Sequence, residues 1–291
     1  MQAMGFFASV NGEIAPADQA RVSVLDNGFL FGDAVYETLR TYGGRPFHFD
    51  RHLARLRRSA RRLAIALPDD DGGLTQDADA LLRRAANPES YLRIIVSRGA
   101  GDVSYRFDRV KGPTVVMIAK PYEPFPDRYY TEGVAIILSS IRRNSPRALD
   151  PAIKSCNLLN NILAVREAQA RNAEEALLLN HRDEIAEGAS TNLFIVKGGA
   201  VLTPPLAAGI LAGVTRAIFF ELLPGLELSL REATLRVPDL LAADEAFLTS
   251  TTREAVPIRS VDGRPIGGGR PGPTTRRILE AFRAWAPSHC P

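Results

Sequence analysis

The sequence predicts an α+β protein built from two lobes, a small amino-terminal one and a larger one rich in strands. At 291 residues the chain has room for two modest domains. Segments with the period-two alternation of strands are interspersed with segments that carry the apolar stripe of helices. Between the two parts, the stretch "KPYEPFPDRYYTEG" can continue neither a helix nor a central strand. We therefore expect a small domain over 1–120, an interdomain linker over 121–132 and a large domain over 133–291.

The small lobe begins with a hairpin. Asn11-Gly12 lies between apolar runs, and this dipeptide is the strongest short signal for a two-residue hairpin turn. An alternating strand then folds back at Gly43-Gly44. Periodic apolar positions predict two helices after it, in "RHLARLRRSARRLAIAL" and "QDADALLRRAAN". Two further strands are expected in "YLRIIVSRG" and "PTVVMIAK".

The large lobe alternates strands and helices. A buried strand is expected in "GVAIILSSI", and a helix in "NNILAVREAQARN" should bury the face that carries Leu158, Ile162 and Val165. Further strands are predicted in "EALLLN", "EIAEG" and "TNLFIVKGGAVLTPP". The segment "GVTRAIFFELL" starts a helix directly after glycines. "DEAFLTSTTRE" is typical of a strand that ends in a hydroxyl-rich turn, and "PTTRRILEAFRAW" predicts the closing helix.

Composition narrows the class of protein. The chain is 45% hydrophobic and 24% charged, close to globular averages, which excludes a disordered or fibrous protein. A net charge of +3 favours anionic small ligands over nucleic acid. Cys156 and Cys290 lie far apart, which suits a reducing compartment and offers no metal spacing. Without an export signal or a membrane-length apolar run, we expect a soluble, cytoplasmic protein with no membrane partner.

Lys154, in "LDPAIKSCNLLNN", is the first candidate catalytic residue. The chain carries 36 Lys plus Arg, yet its lysines are only Lys111, Lys120, Lys154 and Lys197. Arginine keeps its proton at useful pH, whereas a buried lysine can become a neutral amine and attack a carbonyl. The alternative interpretation is a lysine that snorkels from a strand end into water.

Two further features suit an anionic, ring-containing ligand. In "EIAEGASTNLF", Glu187 could hold the proton of a pyridine nitrogen, although a simple turn with Glu187 in water fits the same letters. In "ILAGVTRAIFFEL", Val214 and Thr215 occupy the first turn of a helix, where free N–H groups favour anions. The turn "LTSTTRE" adds the hydroxyl and amide of Thr251, and Arg55 could close the cage. Ordinary capping is the alternative for each of them.

Taken together, these residues meet the three demands of pyridoxal 5′-phosphate (PLP). An amine can form an imine with its aldehyde, a carboxylate can keep its ring nitrogen protonated, and an arginine, a helix start and a threonine turn can hold its phosphate. The joint pattern is far more specific than any of its parts.

The chain resembles the class IV, or fold type IV, PLP-dependent aminotransferases, the group of branched-chain and D-amino acid aminotransferases and aminodeoxychorismate lyase. Seven separated motifs carry the resemblance in the family's order: "DNGFLFGDAVYETLR", "RHLARL", "YLRIIVSRG", "IKSCNLLNN", "EGASTNLF", "GVTR" and "TSTTRE". It implies a D-amino acid aminotransferase-like fold, with a small α/β lobe and a larger β-rich lobe with helices. It also implies homodimers and no metal.

The resemblance assigns roles to residues of this sequence. It implies that Lys154 holds the cofactor as an internal aldimine and acts as general acid and base. Glu187 is similar to the family's partner of the pyridine nitrogen, and Asn192 closes the same motif. Leu211 is similar to the residue packed on the ring face. The phosphate would be held by Arg55, Val214, Thr215 and Thr251.

The substrate is the least determined point. Tyr91 and Arg93 form a Y-x-R pair on one strand face, which resembles the branched-chain group, where the arginine binds a distal carboxylate. Arg40 is a second cation on a neighbouring strand, and Tyr36 and Thr252 are also expected to line the substrate site. We therefore expect transfer between a branched-chain amino acid and a 2-oxo acid such as 2-oxoglutarate. D-amino acid transamination, pyruvate elimination by a lyase and a non-enzymatic nucleic-acid-binding protein are the alternatives.

Overall fold

A computed structural model describes residues 5–67 and 72–290. The chain divides into two compact units. Of the described residues, the first unit comprises 5–67, 72–123, 153–157 and 286–290, and the second comprises 124–152 and 158–285. Residues 1–4, 68–71 and 291, which belong to the predicted domains, lie outside the described residues.

The first unit is a six-stranded antiparallel sheet with helices on one face. The strand order is β2-β1-β6-β5-β3-β4. The strands are β1 (Phe7–Val10), β2 (Glu13–Pro16), β3 (Ala34–Tyr42), β4 (Arg45–Pro46), β5 (Ser90–Ser97) and β6 (Thr114–Pro121). The helices are α1 (Asn27–Phe31), α2 (Phe49–Arg62) and α3 (Gly72–Ala85). Both predicted hairpins are present, since β1 pairs with β2 and β3 pairs with β4.

Strand alternation gives this sheet two different faces. Leu39 of β3 and Ile94 of β5 are fully buried and pack with Leu56 of α2 and Leu81 of α3 in one core. Successive side chains of a strand point to opposite faces. The other face therefore carries half-buried residues of the same strands, which are Tyr36, Thr38, Arg40, Tyr91, Arg93 and Ile95. We call it the polar face of the first unit.

The second unit contains a mixed sheet of nine strands. The main order is β12-β11-β10-β13-β14-β7-β8-β9, and β15 pairs with β14. The strands are β7 (Val134–Leu138), β8 (Glu175–Leu179), β9 (Ile185–Gly188), β10 (Asn192–Lys197), β11 (Ala200–Thr203), β12 (Leu230–Glu232), β13 (Glu245–Ser250), β14 (Glu254–Val261) and β15 (Arg264–Pro265). The helices are α4 (Arg128–Thr131), α5 (Leu159–Ala170), α6 (Val214–Leu222), α7 (Val237–Leu241) and α8 (Pro273–Trp285).

The α+β prediction is confirmed, but one predicted helix face is wrong. In α5 the buried residues are Ala164 and Ala168, which pack in a core with the neighbouring strands, and Val165 contacts that core. Ile162, expected to be buried, is 52% exposed, with Leu159 and Leu163 exposed beside it. Within the described residues, no helix is both long and apolar enough to cross a membrane.

The division into units differs from the predicted domains in two short stretches. The chain crosses between units at residues 123 and 124, inside the predicted linker. Residues 153–157 and 286–290, expected in the large domain, belong to the first unit. Residues 153–157 belong to the first unit because their backbone is hydrogen-bonded to strand β3. Tyr36 N donates to Lys154 O at 2.9 Å, and Cys156 N donates to Ala34 O at 2.7 Å.

Candidate active site

Lys154 is held against strand β3 of the first unit. The Lys154 carbonyl accepts a hydrogen bond from Tyr36 N, and the Lys154 N–H donates to Ser59 Oγ at 3.1 Å. Val35 and Ser155 form an antiparallel bridge, so Lys154 lies beside Tyr36. The Lys154 Nζ is 4.4 Å from the centroid of the Tyr36 ring. The side chain is half-buried on the polar face, which places the amine on a sheet surface.

Arg93 shares the Tyr36 ring with Lys154. Its guanidinium carbon is 4.2 Å from the same ring centroid. Burial raises the pKa of Tyr36 to about 12, although the charge of Arg93 opposes this. The phenol therefore keeps its proton at neutral pH and can donate a hydrogen bond. The structure thus brings together three predicted residues: the amine, the phenol and a cation.

Arg55, predicted to bind a phosphate, is tied to a carboxylate that the sequence did not suggest. Its Nε and Nη2 donate to Glu37 at 2.7 and 2.8 Å, and both side chains are buried. His52 Nδ1 lies 2.7 Å from Glu37 Oε2. Burial alone would raise the pKa of Glu37, but Arg55 and His52 hold it far below its ordinary value. The phosphate role of Arg55 stays a prediction.

His52 is neutral in this group. Burial lowers its pKa, and the charges of Arg55 and Lys154 act in the same direction, while Glu37 opposes them. Because Arg55 already neutralises Glu37, a second buried positive charge would lack its own counter-ion. A neutral His52 donates its Nδ1–H to the carboxylate. Glu37 and His52 are functional-site neighbours that strand and helix periodicity alone would assign to the core.

Tyr91 and Arg40 lie farther along the polar face. Tyr91 Oη is 3.5 Å from Thr38 Oγ1. The Arg40 guanidinium is stacked on two rings, 3.8 Å from the centroid of Tyr122 and 4.1 Å from that of Tyr42. Arg40 follows Tyr36 by four strand residues, which is about 13 Å. The structure does not bring Arg40 to Lys154, and its substrate role remains a prediction.

Glu187 of the second unit is buried, so the interpretation as an exposed turn is wrong. Its Oε1 accepts from Arg143 Nε at 2.8 Å. Its Oε2 accepts from Asn192 Nδ2 at 3.3 Å and from the Leu211 N–H at 3.0 Å. These donors fix the direction of the carboxylate. Sequence reasoning missed Arg143, because the letters "IRRNSP" do not tell which arginine turns inward.

Two glycines near Glu187 allow the backbone to lie close to the side chains of Thr191 and Asn192. A Cβ on Gly188 would lie 2.1 Å from Thr191 Oγ1, so glycine is required by space. Gly213 is the N-cap residue of α6, and a Cβ there would lie 2.0 Å from Asn192 Oδ1. Gly188 does not have a positive φ, so the close approach of Thr191, and not the backbone conformation, is the reason for glycine there.

The start of α6 fits an anion. Val214 and Thr215 are its first two residues, and both are buried. The Thr215 Oγ1 is buried without a hydrogen-bond partner. A buried hydroxyl normally has a partner, and the first N–H groups of a helix point at the same place. Thr251 and Thr252 lie in the turn between β13 and β14, Thr251 buried and Thr252 half-buried.

The side chains described above, taken unit by unit, have the chemistry that PLP requires. Within residues 5–67 and 72–290, no group of three or more His, Cys, Asp or Glu could hold a metal ion. An amine on a sheet face can bond an aldehyde, a fixed buried carboxylate can face a ring nitrogen, and an unpartnered hydroxyl at a helix start can bind a phosphate.

Comparison with known proteins agrees with this chemistry. Residues 34–261 match the family described as amino-transferase class IV. The chain is 36% identical to a putative branched-chain-amino-acid aminotransferase of Methanocaldococcus jannaschii, over 94% of each chain. It is 34% identical to the D-alanine aminotransferase of Bacillus licheniformis, also over 94% of each. The branched-chain amino acid aminotransferase of Thermobaculum terrenum in its PLP form superposes with a TM-score of 0.87 at 26% identity, over 99% of this chain and 96% of that one.

The chain belongs to the class IV aminotransferase family. It is a PLP-dependent aminotransferase, and its substrates are an amino acid and a 2-oxo acid. The resemblance seen in the sequence motifs is confirmed, as are the fold type and the cofactor.

The buried His52 should make stability depend on pH. Its pKa is lowered in the folded chain, so below about pH 6.5 the unfolded chain binds a proton that the folded chain does not. The free energy of unfolding should then fall as pH drops from about 7.5 to about 5.5. A His52→Asn variant keeps a hydrogen-bond donor near the position of Nδ1 but has no group there that titrates in this range. Between these pH values its free energy of unfolding should therefore fall by about 1 kcal/mol less than that of the parent.

Urea unfolding followed by circular dichroism at about pH 7.5 and about pH 5.5 measures this difference. His181→Asn is the control, since His181 is exposed. An identical pH dependence in the parent and the His52→Asn protein would show that His52 is not held neutral.

Proposed function

We propose that this aminotransferase moves the amino group between a branched-chain amino acid and a 2-oxo acid such as 2-oxoglutarate. One observation carries the proposal: Lys154 Nζ and the Arg93 guanidinium lie 4.4 and 4.2 Å from the centroid of the same Tyr36 ring. A substrate whose reacting carbon is at the amine therefore has a cation close by. A guanidinium binds a carboxylate through two parallel hydrogen bonds.

The polar face can also accept an apolar side chain. Ile95 lies opposite Tyr36, and Ile118 lies opposite Arg93, and both are half-buried. They give aliphatic surface beside the cation. A site that must bind leucine-like and glutamate-like molecules in turn needs both kinds of contact. Tyr91 and Thr252 would border it, and Arg40 would add a more distant positive charge.

In the proposed reaction Lys154 attaches the cofactor and then removes the proton from the Cα of the amino acid. When bound, PLP supplies an aldehyde and a protonated ring that withdraws electrons from Cα. Burial raises the pKa of Tyr36 to about 12. The phenol therefore keeps its proton at neutral pH and can donate a hydrogen bond to an anionic group of the substrate.

The residues of the second unit would hold the cofactor in the following way. Glu187, fixed by Arg143 and Asn192, would hold the proton on the ring nitrogen. Leu211, whose N–H binds the same carboxylate, would pack on the ring. The phosphate would be bound by Thr215, with Val214, Thr251 and Arg55 as further contributors, and the unpartnered Thr215 hydroxyl supports this.

A donor screen tests the proposal. With 2-oxoglutarate as acceptor, L-leucine, L-valine and L-isoleucine should give glutamate at rates above those of D-alanine and D-valine, because apolar side chains match Ile95 and Ile118. The readout is enantiomer-resolved glutamate formation by the purified, cofactor-loaded enzyme.

D-amino acid transamination is the second candidate, supported by 34% identity to a D-alanine aminotransferase. Higher rates with the D-donors would establish it and contradict the first proposal. No glutamate from any donor, together with pyruvate release from aminodeoxychorismate, would identify a lyase instead.

We also propose that the chain forms a homodimer in the cytoplasm. Contiguous exposed apolar residues on a protein surface mark interaction sites. In the second unit, α5 exposes Leu159, Ile162 and Leu163 on neighbouring turns. In the first unit, two adjacent segments, 22–29 and 103–107, expose a larger set, which is Val22, Val24, Leu25, Phe29, Val103, Tyr105 and Phe107. The two cysteines are free thiols, as in a reducing compartment.

Size-exclusion chromatography with light scattering tests the dimer. The parent should elute at twice the chain mass, and Ile162→Glu should shift it toward the monomer, because a buried carboxylate would lack a partner. Leu206→Glu is the control, as Leu206 is an exposed leucine outside both surfaces. A monomeric parent, or a fully dimeric Ile162→Glu protein, would contradict the placement of the interface.

A further inference from the structure

We propose that Cys156 is a positioning residue that holds the Arg93 guanidinium on the Tyr36 ring without neutralising its charge, and thereby sets the preference of the enzyme for dicarboxylic substrates. The inference rests on the proposed function, in which Arg93 receives a carboxylate of the substrate.

The backbone places the thiol beside the reacting amine. The antiparallel bridge of Val35 and Ser155 and the bond from Cys156 N to Ala34 O align this segment with β3. Residues two apart along such a segment point to the same face. Lys154 and Cys156 therefore both project to the polar face, next to Tyr36. A single segment thus fixes the amine and the thiol.

The thiol is a neutral partner for the guanidinium. Burial raises the pKa of the Cys156 thiol above its ordinary value, although the nearby Arg93 guanidinium acts in the opposite direction. The thiol stays protonated at neutral pH as a result. A neutral sulfur is a weak acceptor, so it can orient the guanidinium while leaving the positive charge in place.

Several buried or half-buried arginines pair with carboxylates: Arg55 with Glu37, Arg98 with Asp33, Arg143 with Glu187, Arg216 with Glu232 and Arg253 with Glu175. Within the part of the chain that the structure describes, no carboxylate forms an ion pair with Arg93, and its guanidinium lies on the Tyr36 ring instead. A half-buried charge without a counter-ion is unfavourable. The carboxylate of a substrate can supply that counter-ion.

The inference is tested by placing a charged or a neutral side chain at position 156. In the cofactor-loaded enzyme, Cys156→Asp should raise the KM for 2-oxoglutarate about tenfold, because an internal carboxylate would compete for Arg93. The KM for the monocarboxylic acid 4-methyl-2-oxopentanoate should change less than about threefold. Cys156→Ser, which keeps a neutral hydrogen-bonding group, should keep both KM values within about threefold of the parent.

Cys156→Ala and Cys156→Ser test the same inference if the Cys156→Asp protein does not fold. Cys156→Ala should raise the KM for 2-oxoglutarate about threefold or more with little change in kcat, and Cys156→Ser should restore it. The inference is overturned if Cys156→Ala leaves this KM unchanged, or if Cys156→Asp raises the KM of both acids equally.

Arg93→Met separates this inference from the proposed function. It should raise the KM for 2-oxoglutarate whatever residue occupies position 156. If Arg93→Met has this effect and the Cys156 variants do not, only the role of Cys156 is wrong. If Arg93→Met has no effect, Arg93 is not the carboxylate site, and the proposed substrate assignment fails with it.

Discussion

The pairing of residues 154–156 with strand β3 is the constraint on which the site depends. Two backbone hydrogen bonds, from Tyr36 N to Lys154 O and from Cys156 N to Ala34 O, fix the register. Because side chains alternate along a strand, a slip of one residue would turn Lys154 away from the polar face. The same register brings the amine to the Tyr36 ring, where Arg93 also lies. The arrangement of these three side chains therefore follows from main-chain pairing.

Within each unit, a buried carboxylate is held by donors from its own unit. Glu37 is held by Arg55 and His52, and Glu187 by Arg143 and Asn192. Such partners keep a buried carboxylate in one orientation. In the first group this anchors α2 to β3, and in the second it fixes Glu187, for which we propose a role at the ring nitrogen of PLP. Arg93 lies on an aromatic ring, and in the proposed reaction it receives a carboxylate of the substrate.

Much of the fold could be predicted because its signals are local. The Asn11-Gly12 hairpin and the closing helix α8 (Pro273–Trp285) follow from turn chemistry and periodicity. The buried face of α5 could not be predicted, since its apolar residues surround the helix and small residues such as Ala164 make the close contact. The scarcity of lysine singled out Lys154 as a candidate in the sequence. Arg143, by contrast, lies 44 residues from Glu187, and only the folded chain reveals this pairing.

The covalent attachment of PLP to Lys154 is the central claim, and it can be measured directly. The chain has only four lysines. Reduction of the cofactor-loaded enzyme with borohydride, followed by proteolysis and mass spectrometry, should place the phosphopyridoxyl group on the peptide that contains Lys154. A label on Lys111, Lys120 or Lys197, or no label in an enzyme that transaminates, would contradict the account.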